Sequence, residues 1–159
     1  MPLTESIVGM HYRYPDHYEV EREKIREYAV AVKHDDPAYF EEKAAADLGY
    51  PGLPAPLTFV SVFGYTAQTA FFKYANVAVQ DAQVVQVDQV LKYFAPLVAG
   101  DKLYCDVYVE SVRVSHGTQI IVTKNVITNE AGDVVQETYT TLAGRAGEDG
   151  EEGFSDATA

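Results

Sequence analysis

The sequence predicts an α+β domain in which a curved antiparallel sheet wraps around one long helix. Residues 57–75 form a helical segment that is apolar on every side. After that segment the hydrophobic pattern changes to period two, which is typical of strands. Glycine-containing turns separate the strand-like stretches, so consecutive strands are expected to run antiparallel.

Length and composition fit one soluble domain, which we place at residues 1–146. Of the 159 residues, 47% are hydrophobic, as in an ordinary globular protein. The net charge of −12 argues against nucleic acid or anionic lipid as a partner. No long apolar run or secretory signal pattern is visible and Cys105 is the single cysteine, so a cytoplasmic location is expected. His11, His17 and His116 lack the spacing of metal ligands, so no metal site is expected.

Two amphipathic segments precede the central helix. In residues 21–32 the apolar side chains recur at helical spacing, and acidic residues occupy the first turn. A second, shorter helix is predicted from Pro37 to Leu48, because proline suits a first helical turn and Gly49 suits a helix end. A rigid stretch rich in glycine and proline, residues 50–56, then leads into the central helix.

The central segment, residues 57–75, carries apolar side chains around its whole circumference. A helix of this kind must be covered by protein on nearly all sides. Few architectures of this size provide that cover. The segment is therefore predicted to be the buried helix around which the sheet is built.

Four strands are predicted after the helix, at residues 83–94, 102–114, 119–128 and 133–144. Because tight turns join them in sequence, we expect an antiparallel meander. In the second strand Val112 and Val114 fall out of phase with Leu103, Cys105, Val107 and Val109, which predicts a bulge near Glu110 and Ser111. A bulged, curling sheet around one buried helix is a hot-dog fold.

The last residues, 147–159, differ from the rest of the chain. They include no basic residue and few apolar ones. Five of them are acidic: Glu148, Asp149, Glu151, Glu152 and Asp156. Such a composition is typical of disorder. The segment is predicted to be an acidic disordered tail.

Several stretches resemble the MaoC/(R)-hydratase family of hot-dog proteins. They are HYRYPDHYEVEREKIREYA, APLTF, QVVQVDQ, HGTQIIVTKN and QETYTTLAGR, which together span most of residues 11–145. Within the family the sequence is most similar to the HadA-type subunits of mycobacterial (3R)-hydroxyacyl-acyl-carrier-protein dehydratases. The resemblance implies a hydro-lyase of type II fatty acid synthesis, acting on long-chain and mycolic acid precursors.

The family's catalytic signature is an Asp, followed by Asn-Pro two and three residues later and a His five residues later. A carboxylate and an imidazole are the groups that remove a proton from C2 and protonate the departing hydroxyl. Here His34 replaces the Asp, Asp36 the Asn and Tyr39 the His, while Pro37 is retained. The resemblance therefore implies a subunit without catalytic residues of its own.

Such a subunit would pair with a homologous catalytic dehydratase subunit as a heterodimer. The pair would take a long-chain 3-hydroxyacyl thioester from acyl carrier protein and release the trans-2-enoyl thioester, without cofactor or metal. Two alternatives stay open: a self-sufficient homodimeric hydratase or thioesterase that uses His34, Asp36 or Tyr39, and a non-enzymatic acyl-binding hot-dog protein.

Candidate substrate-binding residues lie on the central helix and the first long strand. A polar stripe at helical spacing is expected to face the acyl channel, although Thr58 and Ser61 alternatively bond to backbone carbonyls one turn earlier. Asp35 and Asp36 are interpreted as helix caps rather than as an acid–base pair. The predicted substrate-binding residues are Phe59, Ser61, Phe63, Tyr65, Gln68, Phe72 and Gln86.

The start of the central helix is a further candidate position. The resemblance implies that backbone N–H groups at that corner polarise the thioester carbonyl. Pro54 and Pro56 remove two such donors, and the amides of Ala55, Leu57 and Thr58 remain. This composition favours a corner that no longer supports catalysis.

Overall fold

The structure is a computed structural model that describes residues 6–147 and 151–158. Within these ranges no helix is both long and apolar enough to cross a lipid bilayer. The helices are α1 (Arg22–Ala31), α2 (Glu42–Asp47) and α3 (Val60–Tyr74). The strands are β1 (His11–Arg13), β2 (Tyr18–Glu19), β3 (Val77–Val79), β4 (Val84–Tyr93), β5 (Lys102–Ser115), β6 (Thr118–Thr128), β7 (Val134–Arg145) and β8 (Phe154–Asp156).

One antiparallel sheet packs against α3. Its strand order is β1-β5-β6-β7-β4, with β2 also paired to β5. The inward residues of β5, Leu103 to Val109 at alternate positions, are buried against Phe63, Ala67 and Phe71 of α3 in one core. The predicted hot-dog fold is confirmed.

The bulge predicted in the longest strand is present. The register of β5 against β6 shifts between Val109 and Ser111, so one extra residue is accommodated there. A bulge increases the local twist of a strand, which helps the sheet to curl around α3.

The predicted meander is only partly correct. Strands β5, β6 and β7 are consecutive neighbours, but β4 pairs with β7 and not with β5. The reason is the connection after β4, which crosses the start of α3: the Ala55 N–H donates to the Leu97 carbonyl at 2.8 Å, and Pro54 forms an isolated bridge with Val98. That route carries the chain to the far side of the sheet before β5 begins.

The second predicted helix is divided in two. A 3₁₀ turn at Pro37–Tyr39 is followed by a break and then by α2. At the break the carbonyl of Phe40 accepts hydrogen bonds from the Arg26 guanidinium, at 3.0 Å from Nε and 2.6 Å from Nη2. Because that carbonyl is bound to a side chain of α1, α1 is fixed to the loop at the point where the helix is interrupted.

The central helix is not covered on every side, contrary to the sequence prediction. Phe63, Ala67 and Phe71 are buried, but Tyr65 on the opposite flank is 69% exposed. A single sheet of this curvature encloses only one side of α3. The apolar residues of the other flank therefore lie at the surface of the protomer.

The C-terminal segment is also different from the prediction. Instead of being disordered, β8 pairs with β3, and Phe154 is only 2% exposed. One aromatic side chain that reaches the core outweighs the acidic composition around it. Residues 148–150 and 159 of the predicted tail lie outside the described residues.

Candidate substrate-binding groove

A groove runs between α3 and strands β7 and β4, and it consists of three cavities in a row. The inward residues of β7 mark its course: Gln136 lines the first cavity, Thr138 and Thr140 the second, and Leu142 the third. At a strand rise of about 3.3 Å per residue, this row is about 20 Å long. We call the three parts the corner, middle and end cavities.

The corner cavity, of about 360 Å³, lies beside the start of α3 and includes Tyr39, Leu57, Tyr93 and Gln136 in its lining. The Tyr93 hydroxyl donates to the Leu57 carbonyl at 2.8 Å, which fixes the end of β4 to the helix start. Gln136 is 4% exposed, and its Oε1 has no hydrogen-bond partner among the described residues. A buried acceptor without a protein partner is expected to accept a hydrogen bond from a ligand or a water molecule in the cavity.

The two signature positions lie together at this corner. The ring centroids of His34 and Tyr39 are 5.0 Å apart, and Tyr39 lines the cavity. The pKa of Tyr39 is raised above its usual value, mainly by burial and to a smaller extent by the nearby Asp36 carboxylate. Its phenol therefore stays protonated near neutral pH and can donate a proton but not abstract one.

Asp36 acts as a helix cap. Its Oδ1 accepts a hydrogen bond from the Ala38 N–H at 2.9 Å, at the start of the turn that carries Tyr39. This confirms the interpretation of Asp36 as a cap. The capping bond also sets the position of Tyr39 relative to His34.

Of the backbone N–H groups that the sequence leaves at the corner, those of Ala55, Leu57 and Thr58, one is already hydrogen-bonded within the protein. The Ala55 N–H is occupied by the Leu97 carbonyl. Within the described chain the N–H groups of Leu57 and Thr58 have no acceptor, and of these two residues Leu57 lines the cavity. The Thr58 hydroxyl bonds to the Tyr28 hydroxyl at 2.7 Å and not to a backbone carbonyl.

The middle cavity is small, about 160 Å³, and nearly all of the side chains that line it carry a polar group. Gln68 Nε2 donates to Thr123 Oγ1 at 2.8 Å, and Asn125 Nδ2 donates to the Gly64 carbonyl at 3.4 Å. Asn125 is 3% exposed, and its Oδ1 has no partner in the described part of the chain. The middle cavity therefore offers a buried acceptor to a bound molecule.

The end cavity is the largest, at about 670 Å³, and most of its wall is apolar. Phe72 of α3, Val77 and Val79 of β3, Val84 of β4 and Leu142 of β7 form that wall. Tyr65, Gln68 and Gln86 belong to both this cavity and the middle one. The groove thus passes from a polar section to an apolar one.

Five of the seven predicted substrate-binding residues lie in this groove. Ser61, Tyr65, Gln68 and Gln86 line the middle cavity, and Phe72 lines the end cavity. The structure brings together side chains from a helix and a strand that are far apart in sequence. Gln86 is exposed rather than buried, because β4 is the edge strand of the sheet.

Phe59 and Phe63 lie elsewhere, which differs from their predicted place in the channel lining. Both are 1% exposed. Phe63 packs between Tyr14 and Tyr18 at centroid distances of 5.6 and 5.2 Å, and Phe59 packs on Tyr28 at 5.4 Å. They fill the aromatic core behind α3, on the side away from the groove.

Sequence reasoning missed the polar residues that the sheet contributes. These are Gln89, Asn125, Gln136, Thr138 and Thr140. In β7 both alternating sets are largely polar, so periodicity alone does not identify the inward one. The available signal was Asn125, a polar residue in phase with the buried Ile121 and Ile127.

Neither a nucleophilic thiol nor a metal cluster is found near the groove. Cys105 is fully buried, and burial raises the pKa of its thiol to about 12, so it does not form the reactive thiolate at neutral pH. Among the described residues, no three His, Cys, Asp or Glu side chains are grouped to hold a metal ion.

Comparison with known protein families gives a match over most of the chain. The model for the FAS1-like dehydratase domain region matches residues 6–138. That range includes α3, the two signature positions and all of β4, β5 and β6.

Known proteins and structures extend this match. A UPF0336 protein of Mycolicibacterium paratuberculosis is 86% identical over 159 residues, covering 100% of both chains. A chain of the HadBC (3R-hydroxyacyl-ACP dehydratase) complex from Mycobacterium tuberculosis is 48% identical, with a TM-score of 0.81 over 89% of this chain and 99% of that one. A MaoC-like dehydratase is 38% identical with the same TM-score of 0.81, over 89% of this chain and 43% of that one.

Proposed function

This chain belongs to the FAS1-like, MaoC-type family of hot-dog dehydratases, and we propose that it is the substrate-binding, non-catalytic subunit of a heteromeric (3R)-hydroxyacyl-ACP dehydratase. The complex would convert a 3-hydroxyacyl thioester into the trans-2-enoyl thioester during elongation of long-chain fatty acids, mycolic acids among them. The thioester on acyl carrier protein activates C2, so the reaction calls for acid–base groups and no redox cofactor.

The observation that carries the proposal is the pair of side chains at the signature positions. Dehydration takes a proton from C2 and gives one to the departing hydroxyl, which requires a base and an acid held across the same two carbons. The corner has the exposed imidazole of His34 and the protonated phenol of Tyr39, with ring centroids 5.0 Å apart. A carboxylate and an imidazole in the family's order are absent from residues 34–39.

The groove supports a role in holding substrate. Its apolar end cavity suits an alkyl chain, whereas the buried acceptors Asn125 Oδ1 and Gln136 Oε1 suit the N–H and O–H donors of a thioester's polar arm. A subunit that keeps this groove and has lost the acid–base pair is expected to bind substrate for another subunit's catalytic residues.

The open side of the groove supports pairing with a homologous subunit. Tyr65 of the groove is 69% exposed, and Val85 and Val87 of the edge strand β4 are 61% and 57% exposed. Grouped exposure of large apolar side chains is typical of an interaction surface. The related M. tuberculosis dehydratase is a complex. By analogy, a second hot-dog subunit that supplies the Asp and His would cover this flank.

The test is to assay hydration of trans-2-enoyl thioesters by the chain alone, by a homologous subunit carrying Asp-x-Asn-Pro-x-His alone, and by the two co-expressed. We expect no turnover from this chain and full turnover from the pair. A pair in which the partner's Asp is changed to Asn serves as the control for contaminating hydratase. Turnover by the isolated chain at the rate of the pair would contradict the proposal and favour a self-sufficient hydratase. Acyl binding without turnover in any pair would favour a non-enzymatic acyl-binding protein.

A further inference from the structure

The C-terminal strand β8 brings the residue that follows it, Ala157, to the wall of the end cavity. β8 pairs with β3 through Val77–Asp156, Ala78–Ser155 and Val79–Phe154. The Ala157 N–H donates to the Asn76 carbonyl at 2.8 Å, and Ala157 lines the end cavity beside Val77 and Val79. We call residues 153–157 the strap.

Two glycines seat the strap against the sheet. A Cβ on Gly153 would lie 2.7 Å from the Cα of Gly144 and 2.8 Å from the Gln83 carbonyl oxygen. A Cβ on Gly144 would lie 2.8 Å from the ring of Phe154. Such distances are too short for any side chain, so the position of the strap depends on both residues being glycine.

Phe154 supports the wall of the end cavity from behind. Its ring lies 6.1 Å from the ring of Phe72, and Phe72 lines the cavity. Phe154 itself is 2% exposed. Phe72 is thus held between the groove and the strap, and its ring cannot move outward while Phe154 is in place.

Resting on the proposed function, we propose that the strap is the end wall of the acyl groove and sets the longest alkyl chain that this subunit accepts. The polar middle cavity suits the part of the substrate near the thioester, and the apolar end cavity suits the far end of the chain. Ala157, as a small side chain on the rim, determines how much room remains there. The strap is then a determinant of chain-length specificity and not part of the acid–base chemistry.

The first experiment adds bulk at the rim. Ala157→Phe is compared with Ala131→Phe, the same substitution in the exposed turn between β6 and β7. In the co-expressed complex, Ala157→Phe should lower kcat/KM for the longest substrates at least tenfold and leave short substrates within twofold of wild type. Ala131→Phe should leave the whole profile unchanged. An equal change at every chain length would overturn the proposal.

The second experiment releases the strap. Gly153→Ala adds the methyl group that the close contacts exclude, and truncation after Glu152 removes β8. Both variants should shift the preferred substrate toward longer chains, because the wall is displaced. A preferred length that stays at the wild-type value in both variants would contradict a wall formed by the strap.

A binding measurement separates failure of this inference from failure of the proposed function. The chain, alone and in the complex, is titrated calorimetrically with saturated S-alkyl-pantetheine thioethers of increasing alkyl length. Affinity should rise with length to a limit, and Ala157→Phe should move that limit to a shorter chain. An inactive complex that still shows this shift would refute the proposed function alone. An active complex whose chain-length limit is the same in wild type and in the Ala157 and Gly153 variants would refute only the inference about the strap.

Discussion

Tyr39 illustrates how one side chain changes what a site can do. An imidazole exchanges protons near neutral pH, whereas a tyrosine hydroxyl has an unperturbed pKa of about 10. Burial and the Asp36 carboxylate raise the pKa of Tyr39 further. His34 lies against Tyr39, and residues 34–39 do not carry a carboxylate and an imidazole in the family's order. Under the proposed function, the corner would therefore lack the base of the reaction.

The first prediction concerns a variant in which the family's Asp and His are placed at positions 34 and 39. His34→Asp together with Tyr39→His should give weak but measurable hydration of trans-2-enoyl thioesters, because the backbone between the two positions is still fixed by Asp36 and Pro37. Either single change should give no activity, since one group without the other cannot complete the proton transfers. The activity of the double variant is measured alone, with circular dichroism to confirm folding.

Full activity is not expected from the double variant. Pro54 and Pro56 lack N–H groups, and the Ala55 N–H is occupied. Loss of one carbonyl-polarising donor lowers the rate of comparable enzymes by about a hundredfold or more. Adding Pro56→Gly should raise the activity by restoring a donor. A folded double variant at background level in both forms would show that residues 34 and 39 are not the equivalent positions.

At the scale of the elements, the hydrophobic pattern of the sequence predicts those features that depend on residues close together in the chain. The helical spacing of Ile25 and Ala29, the alternation of β5 and its bulge at Ser111 were all visible in the sequence and are all present. The pairing of β4 with β7 was not visible, because it depends on where a loop crosses the start of α3. Periodicity reports which face of an element is apolar, and not which element covers it.

For the candidate groove, too, the residues that share a local pattern were predictable, and those whose place depends on distant packing were not. Ser61, Tyr65 and Gln68 share a helical stripe that a wheel displays, so they were predicted together. Phe63 of α3 and Phe59 just before the helix are equally apolar, but both face Tyr18 of β2, and Phe59 also packs on Tyr28 of α1. Which phenylalanines line the groove is decided by packing against residues about 30 to 50 positions away, such as Tyr28 for Phe59 and Tyr14 for Phe63, and composition gives no such information.

The strap is the element for which composition misled most. Phe154 is a single aromatic residue in an acidic segment, yet its burial against Phe72 and Gly144 is complete. Phe154→Ala should therefore lower the free energy of unfolding by about 3 kcal/mol, the lower end of the range for buried phenylalanines, because β8 is a short strand whose other residues are exposed, so it can shift to fill part of the cavity. Urea denaturation followed by circular dichroism measures the change.

The matched control for this prediction is Phe94→Ala. Phe94 is 60% exposed, so its truncation removes little buried surface and should lower the free energy of unfolding by less than about 1 kcal/mol. Equal losses in the two variants, or no loss in Phe154→Ala, would show that β8 does not hold the position described here.

At the scale of the whole molecule, the protomer is a sheet that covers only one side of its helix. Tyr65 is exposed on the remaining flank of α3, and Val85 and Val87 are exposed on β4. β4 is also an edge strand with an unpaired side, and exposed edges with apolar residues are templates for pairing with another chain. Under the proposed function, the docking of a second hot-dog subunit would cover both the open flank of α3 and the unprotected edge of β4.

Val85→Lys tests that docking, because a charged side chain on an edge strand opposes pairing with another strand. The side chain is 61% exposed, so the fold and the melting temperature should stay close to wild type. Association with the catalytic homologue should weaken at least tenfold, equivalent to about 1.4 kcal/mol, as measured by sedimentation of the mixed subunits. Val114→Lys is the matched control, since Val114 is 55% exposed near the β5–β6 hairpin and away from the groove; it should leave association unchanged. If Val85→Lys pairs as tightly as wild type, the second subunit covers another face. The open flank of α3 would then have to be closed by substrate alone, and the groove would hold its ligand without a partner.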